Sequence, residues 1–182
     1  MTQATTQTLT QPMLIAIVGV NNVTFSAWRK RNNLFPRDSA DHVRIRYSVA
    51  EACAASVVVD LTRSGLAAQK AVDIAMRLLP VFEELVSTRE KDVASEHGRA
   101  EVANKQVAAI RHLDYDEFEI ALGSYDKAVG KFIGPSAVSV PILLIDLLAT
   151  VLGCFQRIAS VFQLAIRSPD AYRDEPAGEG HV

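Results

Sequence analysis

The chain has 182 residues, of which 49% are hydrophobic, 22% charged and 7% aromatic. This supplies enough apolar material for one domain or two small ones, and it excludes a chain that is disordered throughout. The formal charge of −2, from 19 basic and 21 acidic residues, does not by itself indicate nucleic acid or an anionic membrane as a partner.

The cysteines and the N-terminal residues predict a cytoplasmic location. Cys53 and Cys154 lie in apolar, helical-looking runs, so we expect neither a disulfide framework nor a metal cluster. The first twelve residues are polar and lack the basic and apolar regions of a signal peptide. The run 138–145, apolar apart from Ser139, is followed by Asp146, whose burial inside a membrane costs about 2.5–3.5 kcal/mol. We therefore expect no membrane segment.

The first informative part of the chain predicts two short helices joined by a tight turn. The first helix covers 14–18, and Gly19 can then adopt the positive φ of a turn. Asn21 or Asn22 can cap the second helix, which ends at the asparagine pair 32–33. Its last turn is basic, as the helix dipole favours, and contains Arg29, Lys30 and Arg31.

A small hairpin is expected next. Leu34-Phe35 should be extended because a proline follows, and the alternation in Val43–Tyr47 predicts the partner strand across a polar turn at 38–41. The odd-numbered residues of the second strand would face inward, which leaves Arg44 and Arg46 on the opposite face.

Two longer helices follow the hairpin. Ser48 and Glu51 have the spacing of a capping box, which opens a helix over 49–64 that a glycine ends. A further helix is expected over 67–96, where Pro80 should kink it or divide it in two.

The second half of the chain predicts strands and one long helix. Helical alternatives stay open for the strands, which are expected at 106–111, 118–122 and 137–140. A long apolar helix over 141–166 would bury its surface against the 67–96 helix or against a second subunit, and the tail 168–182 should be disordered. The predicted fold class is mainly α with small β elements.

The charge is divided unevenly along the chain. Residues 1–65 hold seven basic and four acidic residues, a net of +3, whereas 66–182 hold twelve basic and seventeen acidic residues, a net of −5. This pattern is typical of a DNA-reading module attached to an acidic domain, although a solvated helix end with ordinary surface arginines gives the same count.

Several spaced segments resemble the winged helix-turn-helix of MerR-type regulators over about residues 10–80. These segments are Gly19–Pro36, Arg46–Glu51 and Ser64–Leu66. The portion from Trp28 to Pro36 is also similar to phage excisionase and AlpA-like DNA-binding proteins. Ser26-Ala27 stand where the MerR pattern has Arg-Tyr, and one extra residue precedes Leu34, so the resemblance does not carry over base contacts or an operator sequence.

The resemblance implies a winged helix-turn-helix domain over 9–66, a connecting helix over 67–96 and a helical or α+β dimerisation or effector domain over 97–167. Polar side chains at the start of the second helix would enter the major groove: Asn21, Asn22, Thr24 and Ser26. Basic side chains of this helix and the wing would contact phosphates: Arg29, Lys30, Arg31, Arg37, Arg44 and Arg46. Trp28 suits a core anchor better than a backbone contact, and Tyr47 suits packing of the wing, with its hydroxyl available to a phosphate.

An enzyme finds little support in the sequence. The four histidines are scattered, and no glycine-rich phosphate loop is present. The densest acid–base cluster, around His112 and Glu119, has the pattern of a charged, solvated turn. We expect no enzyme activity, metal or cofactor, and no residue constellation marks a small-molecule effector site.

The sequence thus predicts a dimeric, sequence-specific DNA-binding transcription regulator, and among such regulators it favours a repressor. The alternative is a protein-interaction module, such as an antitoxin or an adaptor, in which the two short helices serve folding or protein contact.

Overall fold

A computed structural model describes residues 8–37, 45–92, 106–112, 117–132 and 142–167, without the side chains at 89–92, 112 and 164–167. Within these ranges the helices are α1 Gln11–Val18, α2 Asn22–Arg31, α3 Val49–Arg63, α4 Ala68–Asp92, α5 Tyr125–Gly130 and α6 Leu147–Arg167. The strands are β1 Val107–His112, β2 Phe118–Gly123 and β3 Ile142–Asp146.

Helices α1 and α2 are joined by a three-residue turn, as predicted. Gly19 ends α1 with a φ of +70°, and its N–H donates to the carbonyl of Ile15. Asn21 then caps α2 by accepting the N–H of Thr24 at 2.7 Å. The basic last turn of α2 is confirmed.

The segment after α2 differs from the predicted hairpin. Asn33 and Phe35 have φ values of +59° and +52°, so Leu34-Phe35 are not extended. The N–H of Leu34 donates to the carbonyl of Trp28, which closes the helix end with Asn33 in the left-handed conformation. Tyr47 forms an antiparallel bridge with Leu9 in place of the predicted pairing. The predicted turn at 38–41, with Val43 and Arg44, lies outside the described residues.

Helix α3 lies at the centre of the molecule. Its capping box is confirmed, because the side chains of Ser48 and Glu51 each accept the other residue's N–H. Residues 52–59 are all buried, since α1, α4 and α6 pack around the helix. The predicted glycine end is confirmed by Gly65, with a φ of +94°.

Of the kink or division predicted at Pro80, the division does not occur, because α4 continues as one element through this residue. Pro80 is exposed, and apolar side chains on either side of it in sequence are buried: Ala75, Leu78, Phe82 and Leu85. Residues 93–96 of the predicted helix lie outside the described part of the chain.

The three strands form one antiparallel sheet in the order β2-β1-β3. Two of its strands were predicted, whereas the predicted strand at 137–140 lies outside the described residues. One face joins the helical core through side chains such as Ala108, Ile110 and Leu143. The other face is covered by Ala128 of α5, a helix that was not predicted, and by Phe132.

The prediction of one helix over 141–166 is wrong at its start. Ile142–Asp146 are a strand, because they pair with β1 and continue the sheet. Asp146 then accepts the N–H of Ala149 at 2.7 Å and so caps α6. Helix α6 packs against α3, α1 and α4 of the same chain, which buries Val151, Cys154 and Ile158.

The described fold is mainly helical with a small antiparallel sheet, in agreement with the predicted fold class. One continuous cluster of buried side chains contains residues from α1, α2, α3, α4, α6 and the sheet. The short N-terminal helices therefore share their core with the second half of the chain.

The burial pattern of α2 predicts that substitutions at two nearby positions change the stability of the fold by very different amounts. Phe25 is completely buried, whereas Val23 is 80% exposed. We expect Phe25→Ala to lower the free energy of unfolding by about 3–5 kcal/mol and Val23→Ala to change it by no more than about 0.5 kcal/mol. Urea denaturation of both variants measures the difference. Equal losses would contradict the orientation of α2.

Candidate nucleic-acid interface

Helix α2 turns one face toward the core and the opposite face outward. Phe25 and Trp28 are buried, with the Trp28 side chain packed in the core as the sequence favoured. The helical period places Val23, Ser26, Ala27 and Lys30 on the opposite side. This outward face has small side chains at its middle and a cation near its C-terminal end. Val23 and Lys30 at its two ends are exposed, and Ser26 and Ala27 between them are half-buried.

The two asparagines at the start of α2 are held by the fold. The Asn21 side chain is occupied as the N-cap of the helix. Asn22 Oδ1 accepts from Gln11 Nε2 at 2.8 Å, which links α2 to the first residue of α1. Thr24 and Ser26 are half-buried. Of the four polar residues predicted to enter a groove, Asn21 and Asn22 are exposed, and the half-buried Ser26 lies on the face opposite to Phe25 and Trp28.

Tyr47 is completely buried beside the C-terminal half of α2. Its ring makes edge contacts with Phe25 and Phe35, with centroids 5.8 and 6.2 Å apart. Its backbone exchanges two hydrogen bonds with Leu9, and its hydroxyl donates to Gln11 Oε1 at 3.4 Å. The predicted packing role of Tyr47 agrees with this burial, but its buried hydroxyl is bonded to Gln11 and is not available to a phosphate as predicted.

Two of the predicted phosphate-contacting arginines lie against the Tyr47 ring. The guanidinium carbons of Arg29 and Arg37 are 5.9 and 5.3 Å from the ring centroid. Arg29 also donates to Gln11 Oε1 at 3.1 Å. Arg37 donates to Glu51 Oε1 at 2.7 Å and to the carbonyl of Arg46 at 2.9 Å. These contacts fix both guanidinium groups next to the C-terminal half of α2.

Four further cations were predicted to contact phosphates, and three of them lie within the described residues. Lys30, Arg31 and Arg46 are exposed, and Arg44 lies outside the described residues. Because Arg46 precedes Tyr47, its backbone is held beside the Arg29–Arg37 pair. Lys30 and Arg31 thus lie on the last turn of α2 with Arg29, and Arg46 lies next to the Arg37 guanidinium; we call these five cations the α2 basic surface. It consists of Arg29, Lys30, Arg31, Arg37 and Arg46.

Sequence reasoning missed two residues of this region. Gln11 connects α1 to Asn22, Arg29 and Tyr47 through its one side chain. No local pattern marks it, because its partners are distant in sequence. Val23 was passed over as an apolar helix residue, although a helical wheel centred on Phe25 and Trp28 places it outward.

A buried polar cluster lies between α3 and α6. Ser56 Oγ is 3.3 Å from Cys154 Sγ, and Arg157 donates to both atoms at 3.2 and 3.5 Å. Hydrogen bonds to the Cys154 sulfur, from Cys53 first and then from Ser56 and Arg157, lower the pKa of the Cys154 thiol. Sharing that hydrogen bond raises the pKa of the Cys53 thiol, and burial raises it further. Both cysteines are free.

The acid–base cluster predicted as a charged turn is partly described. Glu119 forms ion pairs with Arg111 at 2.8 Å and with Lys131 at 3.1 Å. Hydrogen bonds from Lys131 and Arg111 lower the pKa of the Glu119 carboxyl, which keeps it ionised. In the described ranges, no group of three or more histidine, cysteine or acidic side chains could hold a metal ion.

Two further features concern cavities and membranes. A mostly apolar cleft of about 360 Å³ lies where the start of α4 meets the sheet, lined by residues such as Leu66, Ile74 and Phe118. Among the described helices, none combines the length and the hydropathy that a membrane crossing requires.

No family model and no curated protein matches the chain. The MerR-type resemblance therefore remains a prediction that depends on the residues themselves.

The buried thiol cluster predicts a pH dependence. The Cys154 thiol should ionise below the pH at which an ordinary cysteine does, with its thiolate seen as an ultraviolet absorbance step in the native protein. Arg157→Met should move this step to higher pH, because the guanidinium stabilises the thiolate, and Cys154→Ala should remove it. An absorbance step in the range of a free thiol, about pH 8.5, would contradict the assignment.

Proposed function

We propose that the protein is a sequence-specific DNA-binding transcription regulator that acts as a dimeric repressor. The observation that carries this proposal is the α2 basic surface, which flanks an outward helix face of small side chains. A helix of ten residues is about 15 Å long, and the major groove of DNA, about 12 Å wide, admits such a helix.

The turn between α1 and α2 supports this proposal. A three-residue connection with Gly19 in the left-handed conformation is typical of helix-turn-helix units, in which the second helix enters the groove. In such a unit the first helix crosses the phosphate backbone. The Gln11 side chain, which binds Asn22 and Arg29, would then hold the two helices in a fixed relation.

The cations suit phosphate contacts on both sides of the groove. Lys30 and Arg31 end α2, and Arg46 lies on the segment that the MerR-type resemblance assigns to a wing. Phosphate neutralisation gives binding energy without sequence preference and makes binding sensitive to salt. Sequence preference would come from the outward face of α2.

The proposal includes a dimer because a palindromic DNA site has two equivalent halves. Two copies that bind the two halves of a palindromic site gain affinity and a longer recognition sequence. Helix α6 buries Val151, Cys154 and Ile158 in the core of its own chain, so the dimer contact would use other surfaces than this buried face.

The second candidate is an interaction module that binds a protein, in which the exposed Val23 side chain would be buried against the partner. The two candidates differ in their response to salt. Duplex binding through phosphates weakens steeply with salt, whereas an apolar protein contact does not.

Neutralising two exposed cations tests the proposal. In Lys30→Gln with Arg46→Gln, duplex affinity should fall for all sequences, and the slope of log K against log salt should become shallower by about two units, since each phosphate contact contributes about 0.9. Fluorescence anisotropy with fragments selected from the native genome measures both quantities.

The matched control is Arg63→Gln with Lys127→Gln, which removes the same charge from exposed positions on α3 and α5. It should change the slope much less. Equal effects of the two double variants, or no salt-sensitive duplex binding by the unmodified protein, would overturn the proposal.

A further inference from the structure

Val23 is an apolar side chain that the fold leaves in solvent. It is 80% exposed, the highest value among the large apolar side chains of the described ranges. It is the second residue of α2 and lies on the face opposite to Phe25 and Trp28. Its two methyl groups therefore do little for the stability of the folded chain.

The residues around Val23 indicate which kind of group its side chain could contact. Asn21 and Asn22, the polar residues before it, are held by the helix cap and by Gln11. On its own face of α2 the next positions are Ser26, Ala27 and Lys30. Val23 is thus a small apolar projection at one end of a helix face whose other end is cationic.

A surface of this kind matches the chemistry of a thymine in the major groove. The C5 methyl of thymine is the apolar group that a base pair presents there, and an apolar side chain is what recognises it. In helix-turn-helix proteins the N-terminal residues of the second helix are the ones that reach base edges. The position and the chemistry of Val23 agree with both statements.

We infer that Val23 is a specificity-determining residue that packs on the C5 methyl group of thymine. The inference rests on the proposed function, since it assumes that α2 lies in the major groove. It assigns sequence preference to an apolar contact, whereas the sequence alone favoured hydrogen bonds from the amides and hydroxyls of Asn21, Asn22, Thr24 and Ser26.

The test compares thymine with uracil, which pairs identically but lacks the methyl group. Fragments selected from the native genome are synthesised with thymine or with deoxyuridine throughout, and both are bound to the unmodified protein and to Val23→Ala. For the unmodified protein, each lost methyl contact should weaken binding about fourfold, the effect of about 0.8 kcal/mol for one buried methyl group. For Val23→Ala the ratio of the two affinities should fall toward one.

The design separates the inference from general effects of uracil on DNA. Leu152→Ala, which shortens an exposed apolar side chain on α6, should keep the thymine-to-uracil ratio of the unmodified protein. Thermal unfolding should show that Val23→Ala is folded.

The outcomes also separate the inference from the proposed function. Salt-sensitive duplex binding with the same ratio in the unmodified protein and in Val23→Ala would overturn the inference alone. An absence of duplex binding would overturn both, and would favour a protein as the partner of Val23.

Discussion

The packing of Tyr47 is the constraint on which the arrangement of the N-terminal region depends. Its ring contacts Phe25 of α2 and Phe35 of the following segment, and its backbone pairs with Leu9 before α1. Three stretches of chain that are distant in sequence therefore meet at one buried residue. The short helix α2 depends on such tertiary contacts for its orientation, because isolated helices of this length are marginal.

Tyr47 also positions charged side chains near the surface. Arg29 and Arg37 lie against the Tyr47 ring, and Glu51 holds Arg37 while it also caps α3. Three residues that resemble DNA-reading groups in the sequence make hydrogen bonds within the fold: Asn21, Asn22 and Arg29. In this account their hydrogen bonds keep α2 in place, while Val23 contacts a base and the α2 basic surface contacts phosphates.

Local signals in the sequence predicted the parts of the fold that depend on neighbouring residues. The caps at Ser48 and Asn21 and the glycine ends at Gly19 and Gly65 are set by backbone geometry within a few residues, so each could be read directly. The wrong predictions concern segments whose secondary structure is set by contacts with residues far away in the sequence. Ile142–Asp146 read as helix because the apolar run continues into α6, and only pairing with β1 makes it a strand. Likewise Tyr47 pairs with Leu9, which no local pattern indicates.

The central claim is that the outward face of α2 lies in the major groove, and photo-crosslinking tests it most directly. A benzophenone side chain at position 27, between Val23 and Lys30, is compared with one at position 163, which is exposed on α6. Our account predicts crosslinks from position 27 to bases of a bound genomic duplex and none from position 163. Crosslinks from position 27 to protein alone, or to DNA from position 163 alone, would contradict it.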